Sequence, residues 1–347
     1  MPSPSTQQHA LQGPRVIVAG ATGFAGALAA HLLWRHPEFE LAAITGRSEL
    51  GRPLSELYPR YRVPLTIEQL EPERLEDIDA AVVAYPHAAA APTVAELRER
   101  GIRVVDLSAD FRLRSLATYE QWYGQHPRAD LLGEAVYGLT ELHREQIAGA
   151  AIVANPGCYP TAALLALAPL ARAGLIADLV IDAKQGISGA GRVFDETTHL
   201  SMAGENIVPY KVAAHRHTPE IEEQLAQLHP DLADLRVQFQ AHLVPLDEGE
   251  MASCYATTTR PVDAEELRDL YTRAYAQEPF VELALERPPG VLEVRETNYC
   301  RVFAAADRHT GKVIAFGAID NLWKGTSSQA LQNLNVMFGY SQTTGLP

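Results

Sequence analysis

The chain has 347 residues, 47% of them apolar and 21% charged, a globular composition long enough for two domains. A formal net charge of −14 disfavours nucleic acid as a partner, although a few local Arg and Lys can still receive a small anion. Three cysteines, Cys158, Cys254 and Cys300, are too few and too irregularly spaced for a disulfide framework or a zinc cluster, which points to a reducing, cytoplasmic compartment. The most apolar run, Ala162 to Leu170, falls far short of the ~20 residues of a membrane span, and no signal-type segment precedes the first strand, so a soluble protein with no membrane partner is expected.

Residues 1–14 are rich in Pro, Ser and Gln without periodicity and read as a flexible leader. A short apolar strand, Arg15 to Ala19, then runs into Gly20-Ala21-Thr22-Gly23-Phe24-Ala25-Gly26 and a helical stretch from Ala27 to Trp34. Strand, glycine turn and helix in this order suit a dinucleotide. The glycines permit a tight turn and close approach of the pyrophosphate, which rests on the helix N-terminus. Gly20, Thr22, Gly23, Phe24, Ala25 and Gly26 are therefore cofactor-binding candidates, with an ordinary βα turn as the alternative. The second strand, Glu40 to Ile44, ends in Thr45-Gly46-Arg47-Ser48, without the acidic residue that would hold a ribose 2′-hydroxyl. Arg47 and Ser48 would instead favour a 2′-phosphate and hence NADP(H), unless Arg47 is only a solvated loop residue.

Further strands are expected at Ala80–Ala84, Val104–Leu107 and Ala151–Ala154, with a helix over 92–100 closed by Gly101. Strands alternating with helices imply a Rossmann-type, doubly wound parallel sheet, and in such sheets ligands bind at the carboxyl ends of the strands. Three segments meet there: Tyr85-Pro86-His87, Ser108-Ala109-Asp110-Phe111-Arg112, and Asn155-Pro156-Gly157-Cys158-Tyr159-Pro160-Thr161-Ala162. Arg112 reads as a clamp for a carboxylate or phosphate, or as half of a surface ion pair. Cys158 follows a Pro-Gly turn, with Pro160 in the first turn of the next helix. Unpaired N–H groups and the positive end of the helix dipole should favour its thiolate, the nucleophilic form, which makes it a candidate for covalent catalysis. A small buried hydrophobe is the bland alternative.

Beyond Gly174 the pattern turns to β-rich runs at 179–183, 237–243, 251–259, 301–306 and 312–319, the last two flanking a hairpin turn, so a second, α+β domain is expected. Between them lies the glycine-rich Gln185 to Arg192. In His215-Arg216-His217-Thr218-Pro219-Glu220, Thr218 reads as an N-cap with Pro219 at the first helical position, placing His217 just ahead of a helix. Histidine suits proton transfer near neutral pH. Two metal ligands are the other reading of His-x-His, without a third ligand cluster in the sequence to complete them. Asp263 should cap a helix to about Ala276. After Ile319-Asp320-Asn321-Leu322-Trp323-Lys324-Gly325, an amphipathic helix carries the stripe Ala330, Leu331, Leu334, Met337 and Phe338.

Taken in order, GATGFAG, DLSADFRL, YGLTEL, NPGCYPTA, SGAGR, HRHTPEI and IDNLWKGT cover the chain from Arg15 to about Gly339. In this arrangement the chain resembles the N-acetyl-gamma-glutamyl-phosphate reductase family, within the aspartate-semialdehyde dehydrogenase-like group. The resemblance implies an NADP-binding Rossmann domain over 15–157, completed by 320–347, with an α+β catalytic, substrate and oligomerisation domain over 158–319. It also implies a homodimer or homotetramer and the NADPH-dependent reduction of a small-molecule acyl phosphate. By the same resemblance Cys158 forms a thioester and His217 is the general acid/base. Ser188 and Gly189 would touch the nicotinamide half of the cofactor, Asn321 its carboxamide, and Arg112 and Tyr210 the substrate. Two alternatives stand beside it. One is the relative that reduces a carrier-linked aminoadipyl phosphate in lysine biosynthesis, which tends to carry Asn-Ala in place of Tyr159-Pro160. The other is a cofactor-sensing module without chemistry, against which the presence of both Cys158 and the His217 segment argues.

Overall fold

A computed structural model describes residues 13–192 and 196–347, so most of the expected leader, residues 1–12, lies outside the described residues. The first sheet is built from β1 (Arg15–Ala19), β2 (Glu40–Thr45), β3 (Ile67–Glu68), β4 (Ala80–Val83), β5 (Arg103–Asp106), β6 (Ala135–Tyr137) and β7 (Ile152–Ala154). Its order is β3-β2-β1-β4-β5-β7-β6, and every neighbouring pair is parallel. The central strands read Val-Ile-Val and Ala-Ala-Val-Val because both faces are covered, so no polar alternation survives. The covering helices are α1 (Phe24–Trp34), α2 (Leu54–Leu57), α3 (Ala90–Glu99), α4 (Leu116–Tyr123) and α5 (Thr140–Ala148). Helix α1 begins at Phe24, three residues earlier than the sequence suggests, because Gly26 lies inside its first turn. A Cβ at Gly26 would stand 2.2 Å from the carbonyl oxygen of Gly20, so only glycine lets the helix start this close to the turn.

Helix α6 (Cys158–Arg172) follows β7 and leads to the second sheet, made of β8 (Ile176–Gln185), β9 (Val208–Tyr210), β10 (Val237–Leu243), β11 (Glu250–Thr258), β12 (Val281–Leu283), β13 (Cys300–Ala306) and β14 (Lys312–Ile319). Its order is β12-β13-β14-β11-β8-β10-β9, with parallel and antiparallel neighbours mixed. Helices α7 (Leu200–Ala203), α8 (Thr218–Leu228), α9 (Ala264–Tyr275) and α10 (Ser328–Met337) complete the described helices. Every residue of α6 from Tyr159 to Ala171 is buried, which is why the run is apolar all round and not striped. It joins the core of the second sheet, packing with Leu179, Ile181, Ala252 and Ala315.

Two local expectations need correction. Helix α8 starts at Thr218 itself, with His217 in the capping position, so the threonine hydroxyl is not the cap. Asp263 does cap α9, accepting from the N–H groups of Glu265 and Glu266. Helix α10 is also not half solvated as an amphipathic stripe implies, since all ten of its residues are buried. Ala330, Leu331, Leu334 and Met337 join the core of the first sheet. Its polar face is buried against the β6–α5 junction and bonded there: Gln329 Nε2 and Asn333 Nδ2 donate to the carbonyl of Gly138 at 3.0 and 2.8 Å, and Gln332 Nε2 donates to Glu141 at 3.0 Å, although Gln329 Oε1 and Asn335 Oδ1 stay without a partner. Lys324, wholly buried in the π-helical turn before α10, pairs with Glu141 at 2.6 Å. Such a charge is tolerated inside only because it finds a partner.

Candidate active site

The two sheets meet in a cleft of roughly 620 Å³ lined by Cys158, Arg112, Tyr210 and His217, together with Lys211 and Arg216. Cys158 is the first residue of α6, and Gln185 at the end of β8 donates its Nε2–H to Sγ at 3.2 Å. The Gln185 amide reaches this position across Gly189, where a Cβ would stand 2.1 Å from Nε2. Ser188 is held beside them, donating to the carbonyl of Asp247 at 2.7 Å and accepting from Asn321 Nδ2 at 3.0 Å, while Asn321 Oδ1 accepts the N–H of Gly249 at 2.8 Å. The adjacent Ser188 and Gly189 are thus brought together with Asn321, 133 residues from Ser188, on the Gln185 side of Cys158.

His217 lies on the other side of the turn before Cys158: a Cβ at Gly157 would stand 2.6 Å from its Nε2 and 3.0 Å from Nη1 of Arg112. Glu220, one turn along α8, ties these parts together. Its Oε1 accepts the N–H of Gly157 at 2.8 Å and the Tyr137 hydroxyl at 2.7 Å, and its Oε2 faces Arg112 Nη1 at 3.4 Å. Arg112 is held further by donating to the carbonyls of Asn155 at 2.8 Å and Leu107 at 2.9 Å. It is therefore neither a free clamp nor a surface ion pair but a fixed cation in the cleft floor. Tyr210 donates its hydroxyl to that of Tyr159 at 3.1 Å.

Burial decides the protonation states here. The Cys158 thiol is pushed well above its ordinary range by desolvation and then by the neighbouring Glu250 carboxyl, against the smaller opposing pull of the Tyr159 backbone N–H and Arg112. In this half-buried setting desolvation and Glu250 oppose the thiolate that the helix start was expected to favour. Desolvation also holds His217 well below its usual range, helped by His215, Arg112 and Lys211, so the imidazole is neutral near pH 7. Its Nδ1 is buried without a hydrogen-bond partner. His215, lowered to about 3 by burial and then by Lys211 and Arg216, packs against it with ring centroids 4.9 Å apart.

A second opening lies at the glycine turn. No side chain caps α1, its first turn carries no acidic residue, and a Cβ at Gly23 would meet nothing nearer than the Gly20 oxygen at 4.0 Å. This open, uncapped helix start fits a pyrophosphate. Thr22 stands at its edge, its carbonyl accepting from Tyr58 at 2.9 Å and from Arg192 at 3.2 Å. Phe24 packs edge-on to Tyr58, and the carbonyl of Ala25 accepts from Ser327 at 2.9 Å. Ser48 is exposed at the end of β2. Arg47 lies over the Tyr85 ring at 4.4 Å, donates to the carbonyl of Ala89 at 3.2 Å, and helps to line a separate hollow with Gly46, Tyr85 and Thr93.

Sequence reasoning missed the parts that other elements supply. Gln185 was visible only as the edge of a glycine-rich loop, and Lys211 had no motif around it. Glu250 stood one residue before the strand expected from 251. Glu220 had a signal, since it lies three residues after His217 and so on the same helix face.

The family model described as the NAD binding domain of semialdehyde dehydrogenase matches residues 15–150, and the one described as the semialdehyde dehydrogenase dimerisation domain matches 158–321. Among solved structures, aspartate semialdehyde dehydrogenase II from Vibrio cholerae is similar in fold, with a TM-score of 0.73 at 19% identity over 94% of this chain and 99% of that one. The Candida albicans aspartate semialdehyde dehydrogenase solved with NADP gives 0.68 at 16% identity, again over 94% and 99%. Much closer in sequence are proteins named N-acetyl-gamma-glutamyl-phosphate reductase. That of Moorella thermoacetica is 47% identical over 95% of this chain and 96% of its own length, and that of Desulforudis audaxviator is 47% identical over 96% and 97%. At that identity and coverage, the chain belongs to the N-acetyl-gamma-glutamyl-phosphate reductase family of semialdehyde dehydrogenases.

Proposed function

We propose that the chain catalyses the NADPH-dependent reduction of N-acetyl-L-glutamyl 5-phosphate to N-acetyl-L-glutamate 5-semialdehyde and phosphate, a step of arginine biosynthesis. The observation that carries the reading is Cys158 at the start of α6, held by Gln185, in one cleft with His217 and the cations Arg112, Lys211 and Arg216. The relatives' names supply the substrate. In this reading residues 15–157 with 320–347 form the cofactor unit, and 158–319 the catalytic and oligomerisation unit of a homodimer or homotetramer.

The uncapped start of α1, with Gly20, Thr22, Gly23, Phe24, Ala25 and Gly26, would hold the pyrophosphate. Arg47 and Ser48 would receive the 2′-phosphate, and Ser188, Gly189 and Asn321 the nicotinamide end. The nicotinamide, when bound, supplies the hydride that reduces an acyl carbon. The chain's own residues do the rest. Arg112, Lys211 and Arg216 attract the anionic substrate, with Tyr210 lining the same space. Cys158 Sγ attacks the acyl carbon, a thioester forms and phosphate leaves. An anionic phosphate in the cleft brings His217 the counter-charge that burial denies it, so the imidazole takes up a proton and passes it to the leaving oxygen.

The test is phosphate-dependent reduction of NADP by the purified protein with N-acetylglutamate semialdehyde, run beside Cys158→Ala. Activity in the wild type and none in a folded variant is the expected result. A wild type that binds NADP but turns over neither this aldehyde nor its acyl phosphate would overturn the reading.

A further inference from the structure

Arg192 closes the glycine-rich turn that follows β8. Ser188 and Gly189 lie in a short 3-10 turn, Ile187–Ala190, and Gly191, at φ +86°, bends the chain in a conformation that other residues rarely adopt. The bend carries Arg192 from the second sheet onto the glycine turn of the first. There its Nη1 donates to the carbonyl of Thr22 at 3.2 Å, its Nη2 meets a carboxylate oxygen of Glu49 at 3.3 Å, and the guanidinium lies 5.9 Å from the centre of the Tyr58 ring. A cation supplied by one half of the molecule thus stands at the edge of the open, uncapped start of α1 in the other. Its anchor is unusual. Glu49 has a φ of 60°, a left-handed conformation uncommon for a residue with a side chain, and its carboxylate also pairs with Arg52 at 2.6 Å. Arg52 and then Arg192 hold that carboxyl below its ordinary range, so it is ionised at neutral pH. When Arg192 leaves, Glu49 keeps Arg52 and is not stranded. An exposed ion pair of this kind binds its partners only weakly, so the exchange is easy.

We propose that Arg192 binds the pyrophosphate of the dinucleotide, exchanging Glu49 for phosphate oxygens when the cofactor enters. The inference rests on the cofactor reading given above. The first turn of α1, Phe24-Ala25-Gly26-Ala27, has no charged side chain, so the helix start offers N–H groups and a partial charge only. A full positive charge has to come from another element, and Arg192 is already at the rim. Its guanidinium carries five N–H donors in a planar fork that matches two phosphate oxygens, and a pyrophosphate presents two negative charges where Glu49 presents one. The same turn reaches the nucleophile: Gly189 packs on Gln185, which donates to Cys158 Sγ. An arginine drawn onto the pyrophosphate therefore fixes the turn that carries Ser188 and Gly189, and cofactor occupancy is felt beside Cys158.

The experiment is equilibrium binding by calorimetry, without acyl substrate, of NADPH, 2′-phospho-ADP-ribose and adenosine 2′-phosphate to wild type, Arg192→Gln, Glu49→Gln and the double variant. Arg192→Gln should weaken NADPH and 2′-phospho-ADP-ribose alike, by about tenfold, the worth of one charge-assisted hydrogen bond. Adenosine 2′-phosphate, which has no pyrophosphate, should bind both proteins equally. Glu49→Gln should act in the opposite direction, tightening NADPH by about two- to fivefold because the competing partner is gone, and the gain should vanish in the double variant. NADPH affinity in Arg192→Gln equal to wild type would overturn the proposal. So would an equal loss for adenosine 2′-phosphate, which would move the arginine's role to the 2′-phosphate or to the fold at large. A Glu49→Gln gain that persists without Arg192 would sink the exchange of partners. A wild type that binds none of the three ligands would bring down the cofactor reading itself, an outcome distinct from a cofactor-binding protein indifferent to Arg192.

Discussion

The starts of α1 and α6 are alike on paper and opposite in space. Each follows a buried strand of the first sheet, each has a glycine at the cap, and neither carries an acidic residue in its first turn. At α1 the cap faces open space. At α6 the first residue is packed beneath Gln185, Glu250 and the turn around Gly325, whose Cβ would come within 2.9 Å of the Cys158 Cβ. A helix terminus stabilises a nearby anion by roughly 0.3–1 kcal/mol, about 2 at best, whereas desolvating a charge costs several kcal/mol. The start of α1 thus stands open and uncapped, whereas at α6 the packing around half-buried Cys158 opposes the thiolate that the terminus favours. Motif and dipole alone do not set a pKa; burial does.

Substitutions at the two junctions should separate them. Cys158→Ala should abolish turnover while leaving NADP(H) affinity nearly unchanged, as read by steady-state kinetics and cofactor titration; joint loss of folding and cofactor binding would reassign the cysteine to the core. Gly26→Ala should do the converse. Its Cβ collides with the Gly20 carbonyl, so stability should fall by about 1–3 kcal/mol and cofactor binding should fail, with Cys158 still open to alkylation; unchanged cofactor affinity would refute a close approach at this turn. Arg47→Glu should weaken NADPH about tenfold to a hundredfold, the worth of a charge-assisted hydrogen bond, and NADH much less, with equal losses excluding a 2′-phosphate role.

The smallest effect concerns Asp106, at the end of β5 beside β7. Burial raises its carboxyl to about 7, although Ser108 hydrogen-bonds both its oxygens at 3.0 and 2.6 Å. A carboxyl raised on folding contributes stability that is full below its unfolded value, about 4, and is lost as pH climbs through 7. Asp106→Asn should accordingly flatten the thermal-stability profile between those limits. A variant as pH-sensitive as wild type there would assign the dependence to another group.

Much of the first sheet was legible because its signals are local. β1 matches its expected bounds, and β2, β4, β5 and β7 fall within a residue of theirs, since each is an apolar run broken by glycine or a polar loop. The short edge strands β3 and β6 escaped notice, having too few residues to set a period. In the second sheet β10 and β14 were exact, but β9 and β12 were not recognised, being held by neighbours rather than by pattern. Cys158, His217, Arg112, Tyr210 and Gly189 do line one cleft, and Ser188 and Asn321 do touch.

The order of residues by itself determined a parallel sheet entered by a glycine turn, a cysteine after a Pro-Gly turn and a histidine ahead of a helix, because each follows from backbone preferences within a few positions. Tertiary structure alone decided that α10 is buried on its polar face, that Arg112 is a pinned cation, and that Glu250 and Gln185 converge on Cys158 from adjacent strands. Those outcomes depend on desolvation and on contacts between residues tens to hundreds of positions apart, quantities that no local pattern encodes.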